Sequence, residues 1–435
     1  MSNPLPNPVI FIPGIMGSAL RDQYPVSPET VWSTLKLAIK AYERITPHPS
    51  DTRYELQEPA RVTPDQVLEL VYSEFIEELR HNLTSKADEP VPVFPFAYDW
   101  RQPLEITENQ LADFIDEVID RTRLLRHYHD AGFGSERFPA RVNLAGHSMG
   151  GLLLARYLQK NGQRKVDRIA TLGTPFRGSL ETVAKTAVGL AALGASPGSS
   201  REREAARVTP ALYYLLPSFK GAVQAEAGLS ADLFVPEAWQ PGVLKTLQEF
   251  IRIYGIEPAN PETQAIALLK AMLDGAWRYR TRVEKLKLQN SKDWLAIVGV
   301  DASTRVRMQI TKDGAGQPRF DLSDADVRND WQSAKPGDRL LTGDNTVPYL
   351  GARAKFIPAE QLVCVTPDDF SFWEFKDRIL ASTGFHSSLP TLNLAQRLVV
   401  SHFRGQASGD IWGRPAPDID PGTSWDPPIA GLQSK

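Results

Sequence analysis

Cysteine is all but missing from this chain: Cys364 is the only one in 435 residues. A lone thiol excludes an intramolecular disulfide, and its place in the apolar run Gln361 to Val365 reads as a buried strand position. Long apolar runs are lacking too. The nearest to one, Val183 to Ala195, is shorter than a membrane span and carries Lys185, so it reads as a buried helix before it reads as a segment touching lipid. Neither sign of charge dominates, since 49 Lys and Arg stand against 52 Asp and Glu with no long single-sign block. That balance excludes a general attraction to nucleic acid. The N-terminus has no basic segment ahead of its apolar run, which Pro13 and Gly14 interrupt, so it reads as a first core strand and its loop, not as a signal peptide. Cytoplasm is the default compartment, with peripheral contact at a membrane surface as the refinement. Only seven histidines are present, so each can be weighed in turn.

What is present centres on Arg141 to Leu158, RVNLAGHSMGGLLLARYL. Val142 to Ala145 reads as a buried strand and Gly151 to Leu158 as the start of a helix. Gly146-His147-Ser148-Met149-Gly150 therefore falls where a strand turns sharply into a helix. Small residues flanking the turn let the two backbones approach and push Ser148 Oγ out above a sheet.

Around this point the chain reads as strand, helix, strand, the grammar of a parallel sheet. Pro8 to Ile12 is the first strand candidate and leads into a glycine-bracketed loop, Pro13 to Ser18. Thr30 to Ile45 has helical apolar spacing and suits a flap over a pocket; Pro64 is expected to start a helix with Val67, Leu70, Val71, Phe75 and Leu79 on its apolar side. Val91 to Phe96, interrupted by proline, reads as an edge strand. Asn109 to His129 reads as an amphipathic helix and Arg168 to Leu172 as the strand after the elbow.

The grammar changes after Gly178. Helical candidates at Glu181 to Leu193, Val243 to Tyr254 and Thr263 to Tyr279 occur with no convincing core strand, and Ala211 to Phe219 is a dense aromatic and aliphatic patch. That patch suits plain core or an acyl-chain pocket. Sheet grammar returns at Trp294 to Val300, followed by a hairpin within Thr304 to Asp321. Gln361 to Val365 is the last core strand, Phe370 to Ile379 a helix or lid piece, and Leu392 to Phe403 a closing helix. The expected fold is an α/β-hydrolase with a mostly parallel central sheet. Its parts are core residues 1–179 with a lid candidate at 29–50, a helical cap at 180–290, core residues 291–404, and an extended or disordered tail at 405–435.

A serine hydroxyl is a poor nucleophile until an imidazole removes its proton, and the imidazole works best when a carboxylate fixes its tautomer and stabilises its cation. In this fold class the order along the chain is Ser, acid, His. His48, His81, His127, His129 and His147 precede or adjoin Ser148, leaving His386 and His402. His386 lies in a loop and is preferred over His402 in an apolar helix; His147 is expected to pack below the elbow. For the acid, Asp344 in Gly343 to Pro348 ranks only just above Asp301, with Asp338, Asp368 and Asp369 behind. The oxyanion donors expected are the N–H of Met149, after the nucleophile, and that of Ile15 in the early loop.

Val9-Ile10-Phe11-Ile12-Pro13-Gly14-Ile15-Met16-Gly17-Ser18, Tyr98-Asp99-Trp100-Arg101, Gly146 to Gly151, Gly173-Thr174-Pro175, and Gly343-Asp344-Asn345-Thr346-Val347-Pro348 followed by His386 occur together in this order. In them the chain resembles the lecithin:cholesterol acyltransferase group, which includes a lysosomal phospholipase with transacylase activity and phospholipid:diacylglycerol acyltransferases. The resemblance implies Ser148 as acyl-enzyme nucleophile, Asp344 as acid, His386 as base, and the amides of Ile15 and Met149 as the oxyanion hole. It also implies a mobile lid within Val31 to Ile45 and a cap bearing the acyl pocket after Gly178. Eukaryotic members use disulfides near the lid and are secreted or membrane-tethered, so this chain resembles a bacterial-type member without them.

The expected activity is serine-dependent hydrolysis of lipid acyl esters, phospholipase- or lipase-like, with acyl transfer to an alcohol as a variant. The alternatives are a small-ester or lactone hydrolase and, in another class, an inactive hydrolase fold serving as a lipid- or protein-binding module. A lipid or other acyl ester is the expected partner, with no nucleic acid, cofactor or metal; protein partners stay open.

Overall fold

A run that is apolar at every position can be buried on both faces only in a sheet covered by helices on both sides, and parallel sheets are built that way. The computed structural model describes residues 5–24, 26–33, 35, 44–48, 61–188, 200–256, 259–370, 384–407, 409–420 and 422–435. In chain order the strands and helices that position the site are β1 (Val9–Ile12), β2 (Ser18–Asp22), β3 (Glu29–Trp32), β4 (Val62–Val67), α1 (Glu69–Leu83), β5 (Val93–Pro95), α2 (Leu104–Arg123), β6 (Val142–His147), α3 (Met149–Asn161) and β7 (Val166–Leu172). They continue with α4 (Leu180–Val188), α5 (Ser200–Val208), β8 (Val223–Ala225), α6 (Pro241–Tyr254), α7 (Pro261–Val283), β9 (Trp294–Gly299), β10 (Met308–Lys312), β11 (Pro318–Asp321), β12 (Val363–Val365) and α8 (Asn393–Arg404).

The central sheet runs β12-β9-β7-β6-β1-β5 with every neighbouring pair parallel. Alternate side chains divide its core in two. Val9, Phe11, Ala145 and Leu172 pack with Phe75 and Leu79 of α1 and Leu398 of α8. Ile10, Ile12, Val142 and Leu144 pack on the opposite side with Leu111 and Ile115 of α2 and Leu152 and Leu153 of α3. The chain thus has the α/β-hydrolase architecture, and β5, with Pro95 facing Phe11, takes the edge expected of it.

Several element assignments change. Glu29 to Trp32 is a strand, not the start of a helix, because Trp32 pairs with Leu20 in a separate antiparallel sheet, β3-β2-β4. Val31 and Trp32, at the start of the lid candidate, are buried there; 34, 36–43 and 49–50 lie outside the described residues. Pro64 is likewise a strand residue, opposite Leu20 on an edge that needs no donor from it. The helix begins five residues later, at Glu69, and its buried stripe is Tyr72, Phe75, Ile76, Leu79 and Leu83, leaving Leu70 64% exposed. The helix expected from Asn109 starts at Leu104, behind Pro103, and ends at Arg123. Of the helix expected at Glu181 to Leu193, Leu180 to Val188 is described, and 371–379 of the lid piece also fall outside the described residues.

The region between Gly178 and Trp294 is mainly helical, though β8 pairs with β10 beyond it. Its apolar residues share one continuous core with α2 and α3. Tyr214 Oη donates to Glu105 of α2 at 2.5 Å, Tyr213 Oη donates to the Arg207 carbonyl at 2.8 Å, and the buried Arg280 donates to the carbonyls of Phe176 and Tyr214 at 2.8 and 2.6 Å. The patch Ala211 to Phe219 is therefore inter-helix core, with its tyrosine hydroxyls committed to other helices and loops. After Arg404 the chain wraps the surface: Cys364 and Arg414 exchange backbone hydrogen bonds at 2.8 and 3.1 Å, and the Trp425 indole donates to the Leu362 carbonyl at 2.8 Å. Among the described residues no helix is long and apolar enough to cross a membrane.

Candidate active site

The elbow is built as its glycines require. Ser148 has φ 52° and ψ −124°, a conformation costly for any residue with a side chain, and it joins β6 to α3 with no residue between. Strain of this kind persists only where the surroundings hold it. Gly150 supplies part of that hold, since a Cβ there would lie 2.4 Å from the Ile12 carbonyl oxygen of the neighbouring β1. Ser148 N–H donates to the Leu172 carbonyl of β7 at 2.9 Å, tying the turn to the strand on its other side.

Two loops from distant parts of the sequence meet the serine. His386 Nε2 lies 2.8 Å from Ser148 Oγ, and His386 Nδ1 lies 2.7 Å from Asp344 Oδ2. The other carboxylate oxygen of Asp344 accepts the N–H groups of Thr346 at 3.1 Å and Val347 at 2.6 Å, and its carbonyl accepts the His386 N–H at 2.8 Å. Asp344 is 1% exposed, so the carboxylate has exchanged water for three directed donors. The carboxylate fixes the imidazole proton on Nδ1 and leaves Nε2 with a lone pair facing the serine hydroxyl. Gly173, φ 56°, makes room for this pair: a Cβ would stand 2.9 Å from Asp344 Oδ2 and 3.0 Å from His386 Nδ1.

The loop after β1 passes directly over Ser148. A Cβ on Gly14 would lie 3.0 Å from Ser148 Cβ and 3.5 Å from Oγ. Gly17 N–H bonds the Gly14 carbonyl at 3.1 Å, closing a four-residue turn in which Met16 is left-handed at φ 63°. Tyr98 Oη donates to the Pro13 carbonyl at 3.0 Å and the Trp32 indole to the Met16 carbonyl at 3.0 Å. Ile15 sits at the turn's first central position, directly after Gly14, while Met149 is the first residue of α3, whose N–H has no acceptor within the helix.

The other acid and base candidates are engaged elsewhere. Asp301 accepts from Asn329 at 3.0 Å and Gln332 at 3.2 Å, Asp368 is exposed, and Asp369 holds Arg414. His402 is buried between the carbonyls of Pro428 and Asp293, and burial pushes it down to about 4. Cys364 is fully buried and its thiol is pushed up to about 12, mainly by burial, as suits a strand residue in place of a reactive one. His147 is held neutral, pushed down to about 3 by burial and then by His386 alongside. Its ring does more than pack, and its partner, Tyr72, carried no signal in the sequence beyond that of an aromatic on a helix. Among the described residues no group of three or more His, Cys, Asp or Glu is arranged to hold a metal ion.

No curated protein matches the chain. A chain of the Tle4–Tli4 complex is similar in fold, with TM-score 0.58 and 16% identity over 80% of this chain and 89% of that one. The family model of lecithin:cholesterol acyltransferase matches residues 63–252, a stretch that holds the elbow but neither Asp344 nor His386. Over residues 63–252 the chain is thus similar to the lecithin:cholesterol acyltransferase family, within an α/β-hydrolase fold.

Proposed function

We propose that this protein is a serine-dependent lipid acyl-ester hydrolase working through an acyl-enzyme. The observation that carries the reading is the unbroken contact from Ser148 Oγ to His386 Nε2 at 2.8 Å and from His386 Nδ1 to Asp344 at 2.7 Å. As Ser148 Oγ bonds to the ester carbonyl carbon, its proton passes to His386 Nε2, and Asp344 stabilises the imidazolium. The carbonyl oxygen, now an anion, is held by the N–H groups of Met149 and Ile15. Collapse breaks the bond to the leaving alcohol, which takes the proton from His386. Water, or a lipid alcohol in the transfer variant, then adds to the acyl-enzyme by the same route. The lipid substrate class rests on the family match over residues 63–252, and the mainly helical region between Gly178 and Trp294 would cover the substrate.

The test is covalent labelling followed by product analysis. A fluorophosphonate should modify Ser148 alone, and Ser148→Ala should remove turnover on phospholipids, neutral lipids and esters of two to sixteen carbons down to a weak residual rate. Labelling of another serine, or none on folded protein, rejects the nucleophile. Activity confined to the shortest esters or to lactones would instead favour the small-ester reading.

A further inference from the structure

Tyr72 and His147 connect the two halves of the site, and their donors and acceptors can be assigned by elimination. His147 Nε2 lies 3.0 Å from the carbonyl oxygen of His386, which can only accept, so Nε2 carries the proton. The buried ring is neutral, so Nδ1 keeps a lone pair. Tyr72 Oη, 2.9 Å away, must then donate its only proton to Nδ1, and its oxygen accepts the Gly14 N–H at 3.1 Å. The result is a one-way chain of three hydrogen bonds from Gly14 N–H through Tyr72 and His147 to the His386 carbonyl.

We propose that Tyr72 and His147 are positioning residues that hold the oxyanion loop and the base in register across the nucleophile, an inference that rests on the reading of the site given above. The chain acts at both ends. At the loop it consumes the Gly14 amide, so the next amide, that of Ile15, is the one offered to the oxyanion. At the base it grips the His386 carbonyl while Asp344 grips the His386 N–H at 2.8 Å, so the backbone of His386 is fixed from both sides and its ring from a third point. The centre of the chain is residue 147, whose side chain departs from the strand end adjoining Ser148; a shift of either loop is therefore registered against the nucleophile itself. Tyr72, His147 and Gly14 are all buried, and in that low-dielectric setting a bond left unmade is costly, so the three bonds stand or fall together.

Tyr72→Phe keeps the ring and its packing against Phe11 and removes the hydroxyl. A misplaced oxyanion donor weakens the transition state more than the bound ester, so kcat should fall about tenfold to a hundredfold with KM changed less than about twofold. Affinity for an alkyl trifluoromethyl ketone, whose serine adduct bears the same anion, should fall by the same factor. Fluorophosphonate end-point labelling counts folded sites, so a loss of folded protein is separated from a loss per site. His147→Asn, alone and combined with Tyr72→Phe, supplies the cycle: in one chain the double variant loses no more than the worse single variant. Wild-type kcat and ketone affinity in folded Tyr72→Phe, or additive losses in the cycle, overturns the proposal; if His147→Asn does not fold, Tyr72→Phe alone decides. Failure of Ser148 to label in the unaltered protein would sink the nucleophile reading instead, a result distinct from either.

Discussion

Asp344 and Asp301 were nearly level as acids on chemistry alone, and neighbouring backbone separates them. Asp344 is fixed by Thr346 and Val347 amides and faces His386, whereas Asp301 faces the amides of Asn329 and Gln332. Asp344→Asn should lower kcat by several orders of magnitude by favouring the wrong imidazole tautomer, and Asp301→Asn should leave it near wild type; the reverse pattern in steady-state rates would transfer the role. Gly173 gives a second expectation at this scale. Gly173→Ala places a methyl against both members of the acid-base pair and demands φ 56° of alanine, so turnover should fall at least tenfold while the far-ultraviolet spectrum stays native. Undiminished kcat in that variant would mean the pair relaxes freely around residue 173.

At the scale of elements, α7 fastens the helical region to the sheet through Arg280. Its guanidinium, pushed down to about 10 chiefly by burial but still charged at neutral pH, serves the carbonyls of Phe176 after β7 and Tyr214 before β8. Arg280→Met leaves two buried acceptors without donors and should cost about 2–5 kcal/mol, seen as a lower denaturation midpoint at pH 7. An unchanged midpoint would show that water or another side chain replaces it. Because Tyr214 also bonds Glu105 of α2, Tyr214→Phe should lower stability by about 1 kcal/mol and leave the preferred acyl-chain length where it was. A shifted chain-length plateau would return this patch to the role of acyl pocket that its composition allows.

For the whole molecule, two buried histidines set a response to acid. His402 is pushed down to about 4 and His147 to about 3 from an ordinary value of 6.5, both mainly by burial. The unfolded chain therefore binds more protons than the folded one between those values, and stability rises with pH across that window. Acidification from pH 6.5 should cost up to about 3 kcal/mol by pH 4 from His402 alone, since each pH decade of difference is worth ~1.4 kcal/mol. His147 extends the loss toward pH 3. Urea midpoints measured from pH 7 to pH 4 in His402→Gln should show a shallower decline than in the parent; parallel curves would mean that His402 charges without unfolding the chain.

The order of elements and the place of the elbow were legible in the sequence for physical reasons. Short, largely apolar runs such as Val9 to Ile12 and Trp294 to Val300, bounded by turn residues, favour doubly covered strands, and the small residues of Gly146 to Gly150 favour a turn where backbones approach closely. The phase of α1 was not legible, because Pro64 is acceptable both at a helix start and on the edge of a strand, and pairing with Leu20 decided between them. Nor could local pattern say that the glycine-rich loop after β1 would lie against Ser148, or that residues 344 and 386 would close on it from beyond the helical region. Sequence alone determined the chemical types and their order, since strand burial and turn chemistry act over a few residues. Tertiary structure decided which carboxylate meets the imidazole, and it turned Tyr72 and His147 from core residues into a bridge, because a hydrogen bond at 3 Å depends on how separate elements stack and not on what either sequence segment prefers.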